Sequence, residues 1–313
     1  LDLIAGKAGA PDSELESTVN PSLEIAQQED VIGWRALLLH VPLQIAVIGF
    51  GAWLSARESV SGATWFALAA GVGLVTGGIG ITIAHELIHR RNEALWWTGF
   101  GLLSSVGYAH YAIEHIIGHH ASVGTPRDPA SAPRGVTVLA FIPSSVIGQF
   151  RSAWQFEVAQ LAKLKRPVWS IDNRVLLGLA ASALIFTVCV AIAGIWGGLF
   201  WLAQAIGAVI LLESINYIQH YGLSRSIDPL TGRPERIRDV HTWDSSELLS
   251  GAVLLGLPLH SDHHIHPQRS FLRLRPQRRA PQLPVGYPGA LISAWVPPLW
   301  RRLTHPVLDR FDT

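Results

Sequence analysis

The sequence predicts an all-α polytopic membrane bundle with a His-rich cytoplasmic cap that holds a dinuclear metal site. Three observations predict it. Of 313 residues, 49% are hydrophobic and only 15% charged, and the mean hydropathy is +0.29; soluble domains carry about 25% charged residues. Apolar stretches long enough to cross a bilayer core, which takes roughly 20 helical residues, fall into two close pairs. Most of the 14 His cluster at or beyond the ends of those stretches. A net charge of +1 argues against a nucleic-acid-binding protein, and the single Cys excludes a disulfide scaffold, a Cys-ligated zinc and an Fe–S site within this chain. Metal chemistry here must use imidazole.

The elements follow in order. Residues 1–30 are polar, lack a signal-peptide pattern and read as a cytoplasmic N-terminal segment. Residues 31–84 read as a helical hairpin with spans at 31–55 and 60–84. Residues 85–173 form a His-rich, amphipathic region. Within it, 94–113 is apolar, and a single crossing there would put His115 on the wrong side, so this stretch is expected to bend back or lie at shallow depth. Residues 136–150 are apolar but short, and hold Pro143. A second hairpin covers 174–218, with spans at 175–195 and 196–218, and 219–313 reads as a His-rich cap in which 248–259 is too short to cross. Among 24 Lys and Arg, only Arg57 falls at a hairpin tip. By the positive-inside rule the opposite side is cytoplasmic, which puts the metal site on the cytoplasmic side of the membrane. The start at Leu1 predicts a truncated or processed N-terminus; for the absence of Met there is no physical account.

The His spacings carry the chemistry. His85 and His89 (HELIH) and His115 and His119 (EHIIGHH) are i,i+4 pairs, with His120 beside them. His260, His263 and His264 (HSDHH) are spaced i,i+3,i+4, and His220 ends NYIQH. Residues three or four apart share a helix face, so each group can present imidazoles to one ion. Imidazole suits Zn, Cu, Fe and Ni. Nine ligands are too many for one ion and natural for two. HELIH also matches a zinc-protease pattern, but here it is one small part of a larger cluster, and two irons activating O₂ fit better.

HELIHR, EHIIGHHASVGTPRDPAS, NYIQHYGL, HSDHHIHP and the tail APQLPVGYPGALISAWVPPLW together resemble the membrane-bound alkane 1-monooxygenase family, over most of the chain. The resemblance implies a non-haem di-iron enzyme without haem. It would insert one atom of O₂ into the terminal C–H of a medium- to long-chain n-alkane, giving a 1-alkanol. Electrons would come from rubredoxin and its reductase, so NAD(P)H acts only indirectly. The ligands carried over are His85, His89, His115, His119, His120, His220, His260, His263 and His264. Two departures stand out. The family's first hydrophobic hairpin has no counterpart, which leaves about four spanning helices of six, and Ile117 stands where the family motif has Arg.

Other residues are weighed against plainer roles. Glu86, Glu114, Glu213 and Asp262 are expected to orient ligand imidazoles, or else to pair with cations such as Arg90 and Arg269. Glu213 is the sharpest case, because a carboxylate inside an apolar helix is usually functional; Asn216 and Gln219 are expected to share its role. Trp53, Trp65, Gly49 and Gly77 are candidates for the alkane channel, with Trp53 as its chain-length stop, against the alternative of interfacial Trp and helix-packing Gly. Arg269, Arg273, Arg275, Arg278 and Arg279 would dock an acidic electron donor or meet anionic lipid. His110, His40, His266 and His305 are expected to be packing or surface residues, with His241 either beside the site or in a loop. The nearest alternatives are xylene-type monooxygenases and acyl-lipid desaturases or hydroxylases. From a different class comes a metal-binding or transport protein, which the scarcity of polar groups along the spans argues against.

Overall fold

The computed structural model describes residues 33–311. The expected N-terminal segment 1–30 and the first two residues of the first hairpin lie outside them. The described chain is an all-α polytopic membrane bundle. Helices α1 (Gly33–Ser55) and α2 (Ala63–Ile88) are both long and apolar enough to span, and a tight turn joins them, with Gly62 at φ 55°. α2 runs past the expected end at 84, so His85 lies within its last turn. It contains a π turn over Thr76–Gly80.

Helix α3 (Glu93–Ser104) is capped by Asn92, whose side chain accepts from Leu95 N at 3.1 Å. Twelve residues reach about 18 Å, short of a crossing. The chain turns at Gly107 (φ 70°) and comes back as α4, which starts as Tyr111–Glu114, passes through a π turn at His115–His119 and ends with His120–Ser122. The segment is therefore re-entrant, and His115 returns to the end of the bundle that holds His85.

A helix that stops at membrane depth leaves carbonyls without partners, which only protein can satisfy. Three side chains answer this, and a fourth holds one of them in place. Trp201 Nε1 donates to Ser105 O at 2.9 Å and Gln204 Nε2 to the same oxygen at 3.3 Å. Gln44 Nε2 donates to Ser105 Oγ at 2.6 Å and lies 3.4 Å from Leu102 O. Thr76 Oγ1 donates to Gln204 Oε1 at 2.9 Å.

Helix α5 (Val138–Lys163) is one continuous helix despite Pro143. Its buried positions, among them Val138, Phe141, Ser145, Gln149, Ala153 and Glu157, recur at three or four residues and make a single stripe. α6 (Arg174–His220) is capped by Asn173 and breaks at Ala193–Gly194, where Gly194 has φ 61°. There it folds back. The rings of Phe186 and Trp201 lie 5.8 Å apart, whereas fifteen residues of straight helix would separate them by about 22 Å. The two arms, 174–192 and 195–220, give the second expected hairpin.

Small residues let α2 and the second arm of α6 touch backbone to backbone. A Cβ on Gly73 would stand 2.8 Å from Gln204 O, and one on Gly77 2.7 Å from Ala208 Cα. The C-terminal region adds α7 (Leu248–Val253), α8 (His260–Ile265), α9 (Gly286–Ala294) and α10 (Pro297–Leu308). It packs on the end of α6 through Trp243, Trp300, Tyr217, Tyr221 and Tyr287, all nearly inaccessible. Gln219 Nε2 donates to Tyr287 OH at 2.8 Å, which ties the end of α6 to this layer.

Candidate metal centre

Four elements converge at one end of the bundle. His85 comes from the last turn of α2 with His89 just beyond it; His115, His119 and His120 come from α4, His220 from the end of α6, and His260, His263 and His264 from α8. All are buried except His120, which is partly so. The π turn explains how α4 supplies three. In an α-helix five residues turn a side chain well off the first one's face, whereas i→i+5 bonding brings it back. His120 Nε2 accordingly lies 3.1 Å from His115 Nε2.

The imidazoles form two groups: His85, His89, His115 and His263 in one, and His119, His220, His260 and His264 in the other. In each, the four nitrogens lie within 4.8 Å of one another. His120 belongs beside the first group, its Nε2 being 3.1 Å from both His115 and His263 Nε2. Further Nε2 pairs are His89–His115 at 3.1 Å, His220–His260 at 3.1 Å and His260–His264 at 3.0 Å. Nitrogens about 2.1 Å from one ion stand about 3.0 Å apart at right angles and about 3.4 Å apart in a tetrahedron. The observed spacing suits five- or six-coordinate ions. The residues therefore fit two metals, and His85 Nε2 is buried with no protein partner, as a ligand atom would be.

Electrostatics agree. Burial holds His89, His115, His120, His260, His263 and His264 well below the usual imidazole range, so they stay neutral and able to bind a cation. His119 differs. Burial works against its charge, but the Asp128 carboxylate outweighs that and shifts it upward. His119 Nδ1 and Asp128 Oδ2 are 2.9 Å apart. Asp128 also accepts from Ser131 Oγ at 2.6 Å and Ala130 N at 3.1 Å. A second carboxylate, Asp244, accepts from Ser261 N and Oγ, both at 2.7 Å, and so anchors the start of α8; burial pushes it up to about 6. Neither acid stood out in the sequence. Asp128 lies within the TPRDPAS segment, and Asp244 follows a buried Trp.

The four acids expected beside the ligands sit elsewhere in the bonding pattern. Glu86 pairs with Arg90 at 2.9 Å. Asp262 pairs with Arg269 at 2.6 Å and accepts from Gln277 Nε2 and Arg275 N. Both thus take the plainer role of meeting cations. Glu114 lies 3.4 Å from Ser152 Oγ, and burial pushes its carboxyl up to about 8. Glu213 accepts from Tyr108 OH and Gln149 Nε2, both at 2.9 Å, and from Asn216 Nδ2 at 3.3 Å.

A small cavity of about 10 Å³ touches both His groups through His85 and His260, with Gly77, Ile81, Leu212 and Asn216 in its wall. Of the proposed channel residues only Gly77 lines it. Gly49 lines a separate apolar cavity of about 520 Å³ between α1, α3 and the first arm of α6. Trp65 is buried near the hairpin tips against Trp196. Trp53 faces outward, 42% exposed, with the Arg57 guanidinium 3.8 Å above its ring. Trp53 does not line the cavity beside the His groups.

Within the Arg run, Arg269 is spent on Asp262, Arg273 is half-buried, and Arg275, Arg278 and Arg279 are exposed. His110 is buried against Tyr108 and Phe150 and belongs to neither group. His241 accepts from Arg238 N at 3.0 Å, a loop role. His40 bonds Gln44, His305 bonds Tyr221, and His266 is exposed. Ile117 is 43% exposed on the face away from the imidazoles.

Comparison with known proteins gives concordant results. The fatty acid desaturase family model matches residues 59–289. Alkane 1-monooxygenase 2 of Pseudomonas aeruginosa is 36% identical over 313 residues, covering 98% of this chain and 80% of the relative. Alkane 1-monooxygenase of Pseudomonas putida is 36% identical over 292 residues, covering 92% and 71%. The xylene/toluene monooxygenase hydroxylase component of Pseudomonas putida is 29% identical over 233 residues, covering 74% and 61%.

Proposed function

The chain belongs to the membrane-bound non-haem di-iron alkane 1-monooxygenase family, and on that premise we propose that it hydroxylates medium- to long-chain n-alkanes at the terminal carbon. The observation that carries this reading is the pair of buried imidazole groups facing one cavity at the membrane end of the site. We assign one iron to His85, His89, His115, His120 and His263 and the other to His119, His220, His260 and His264. Bound there, the two irons would supply the reductive activation of O₂.

The protein's own residues supply the rest. An alkane offers no polar handle, so its binding rests on burial, about 0.8 kcal/mol per CH₂. Ile81, Leu212 and Ile215 present apolar side chains beside the His groups, the surface that an alkane's chain end would meet on its way to the site. Asp128 holds the His119 tautomer, so that Nε2 faces the metal. Asp244 fixes α8 and with it three ligands. Burial of the imidazoles keeps bulk water from the reacting carbon. Electrons arrive from rubredoxin at the exposed cationic surface that includes Arg275, Arg278 and Arg279, on the cytoplasmic face of the inner membrane.

The test is product analysis. Detergent-purified protein is supplied with Fe(II), rubredoxin, its reductase, NADH and C8–C16 alkanes under ¹⁸O₂. Singly labelled 1-alkanols are expected. A protein that holds about two irons and yields no labelled alkanol overturns the reading.

A further inference from the structure

Glu213 is buried completely in the second arm of α6, at a depth where a carboxyl is costly and usually functional. Its bonding is lopsided. Oε1 accepts from Tyr108 OH, Gln149 Nε2 and Asn216 Nδ2, while Oε2 is buried with no protein partner. A carboxyl buried this deeply with no cation among its partners is favoured as the neutral acid, and with Oε1 taken by three donors the open Oε2 is the oxygen free to carry the proton. That proton then needs an acceptor. Gln149 Oε1, on the amide already bonded to Glu213, is also buried without a partner. Buried polar atoms left without a protein partner are the usual mark of an internal water.

Asn216 links this carboxyl to the metal centre. Besides donating to Glu213, it lines the cavity between the two His groups, along with Thr82, Tyr111, Gln219, His85 and His260. At about 10 Å³ the cavity has the size of a single water probe, and its four neutral polar residues offer the partners a water needs.

We propose that Glu213 is the proton reservoir of the reaction, its proton passing through internal water toward the cavity that Asn216 lines. The proposal rests on the monooxygenase reading, whose balance requires it: R–H + O₂ + 2 electrons + 2 protons gives R–OH + H₂O. The electrons come from the one-electron carrier protein, and protons must reach a centre sealed from bulk water. In the step itself the Glu213 O–H bond breaks, a water O–H bond forms, and the carboxylate left behind is held by its three donors until water reprotonates it; carrying one proton at a time, Glu213 cycles twice to supply the two that each turnover consumes. The titratable groups facing Glu213 are Tyr108 from the turn before α4, and Tyr111, Glu114 and His119 from α4. α5 presents neutral Ser145 and Gln149, and α6 presents Asn216.

The test compares wild type with Glu213→Gln, which keeps the size and removes the proton. The expected result has four parts: iron content stays at the wild-type value, alkanol turnover falls about tenfold or more, electrons are diverted to peroxide, and the turnover's solvent isotope effect changes. On wild type alone, reduced-minus-oxidised infrared difference spectra should show a carboxylic-acid band that shifts in D₂O and is missing from the variant. Unchanged turnover, coupling and isotope effect in an iron-replete variant overturn the proposal. So does loss of iron from the variant combined with no carboxylic-acid band in wild type, which would make Glu213 structural. Failure of wild type itself to oxidise any alkane overturns instead the reading on which the proposal rests.

Discussion

Asp128 Oδ2 stands 2.9 Å from His119 Nδ1, the one bond among the described residues that joins a carboxylate to one of the nine clustered imidazoles. It fixes the ring with Nε2 turned to the other three members of its group. Partners of this kind typically change metal affinity by 10- to 100-fold. Asp128→Ala is therefore expected to lose metal preferentially from the His119–His220–His260–His264 group. Titration with Fe(II), read by metal analysis after gel filtration, should show one tight and one weakened site. Two equally tight sites would refute the orienting role.

The buried imidazoles make the metal-free protein acid-sensitive. His89, His115, His120, His260, His263 and His264 are all held below their ordinary value of 6.5 by burial. The unfolded chain therefore binds more protons below that pH, so stability is full above about 6.5 and falls as the pH drops through the folded values. His119, shifted upward, and the buried carboxyls of Glu114, raised to about 8, and Asp244, raised to about 6, act in the opposite sense, but they are three groups against six. Thermal unfolding of metal-free protein in detergent should give a Tm that does not fall between pH 8 and 7, where Glu114 takes up its proton, and that falls below pH 6.5. A Tm that rises on acidification below pH 6.5 would contradict the sign.

Parts of this architecture were legible in the sequence and parts were not. The spans announce themselves because twenty apolar residues have few other uses, and the His groups because their spacings match helix faces. The return of 94–113 follows from asking which side His115 must reach. The π turn at His115–His119 was hidden, since a pattern of i,i+4 contacts assumes uniform α geometry. Gln44 and Gln204 were hidden too. Each reads as a lone polar residue in an apolar run, and its purpose appears only when the carbonyls at the end of α3 are found at membrane depth beside it. Asp128 shared the same difficulty: nine residues separate it from His119, and nothing local signals that the loop closes back onto the ring.

Glycine substitutions should separate packing from cavity lining. A Cβ at Gly77 would meet the backbone of Ala208 at 2.7 Å, whereas one at Gly49 meets nothing within 4 Å. Backbone cannot yield as a side-chain tip can, so Gly77→Ala is expected to cost about 1–3 kcal/mol. Gly49→Ala removes a flexible residue from a helix interior and should be neutral or stabilising by up to about 1 kcal/mol. Detergent-solution unfolding of the two variants provides the check. Similar Tm values for both would mean that α2 and α6 are not in backbone contact.

Chain-length selection is expected to follow the wall of the cavity at the metal centre and not the outer face of α1. Trp53 lies outward beneath Arg57, so Trp53→Ala removes bulk from a surface the substrate need not touch. Leu212 lies in the cavity wall beside His85 and His260. Leu212→Phe adds volume where the terminal carbon must seat, and even one methylene's worth of misfit costs about 1–3 kcal/mol of discrimination. Competition among C8–C16 alkanes, scored by alkanol yields, should leave the Trp53→Ala profile at wild type and displace or depress that of Leu212→Phe. The reverse outcome would place the alkane path along the lipid-facing side of α1, and would mean that a bound chain draws Trp53 inward from the position it holds beneath Arg57.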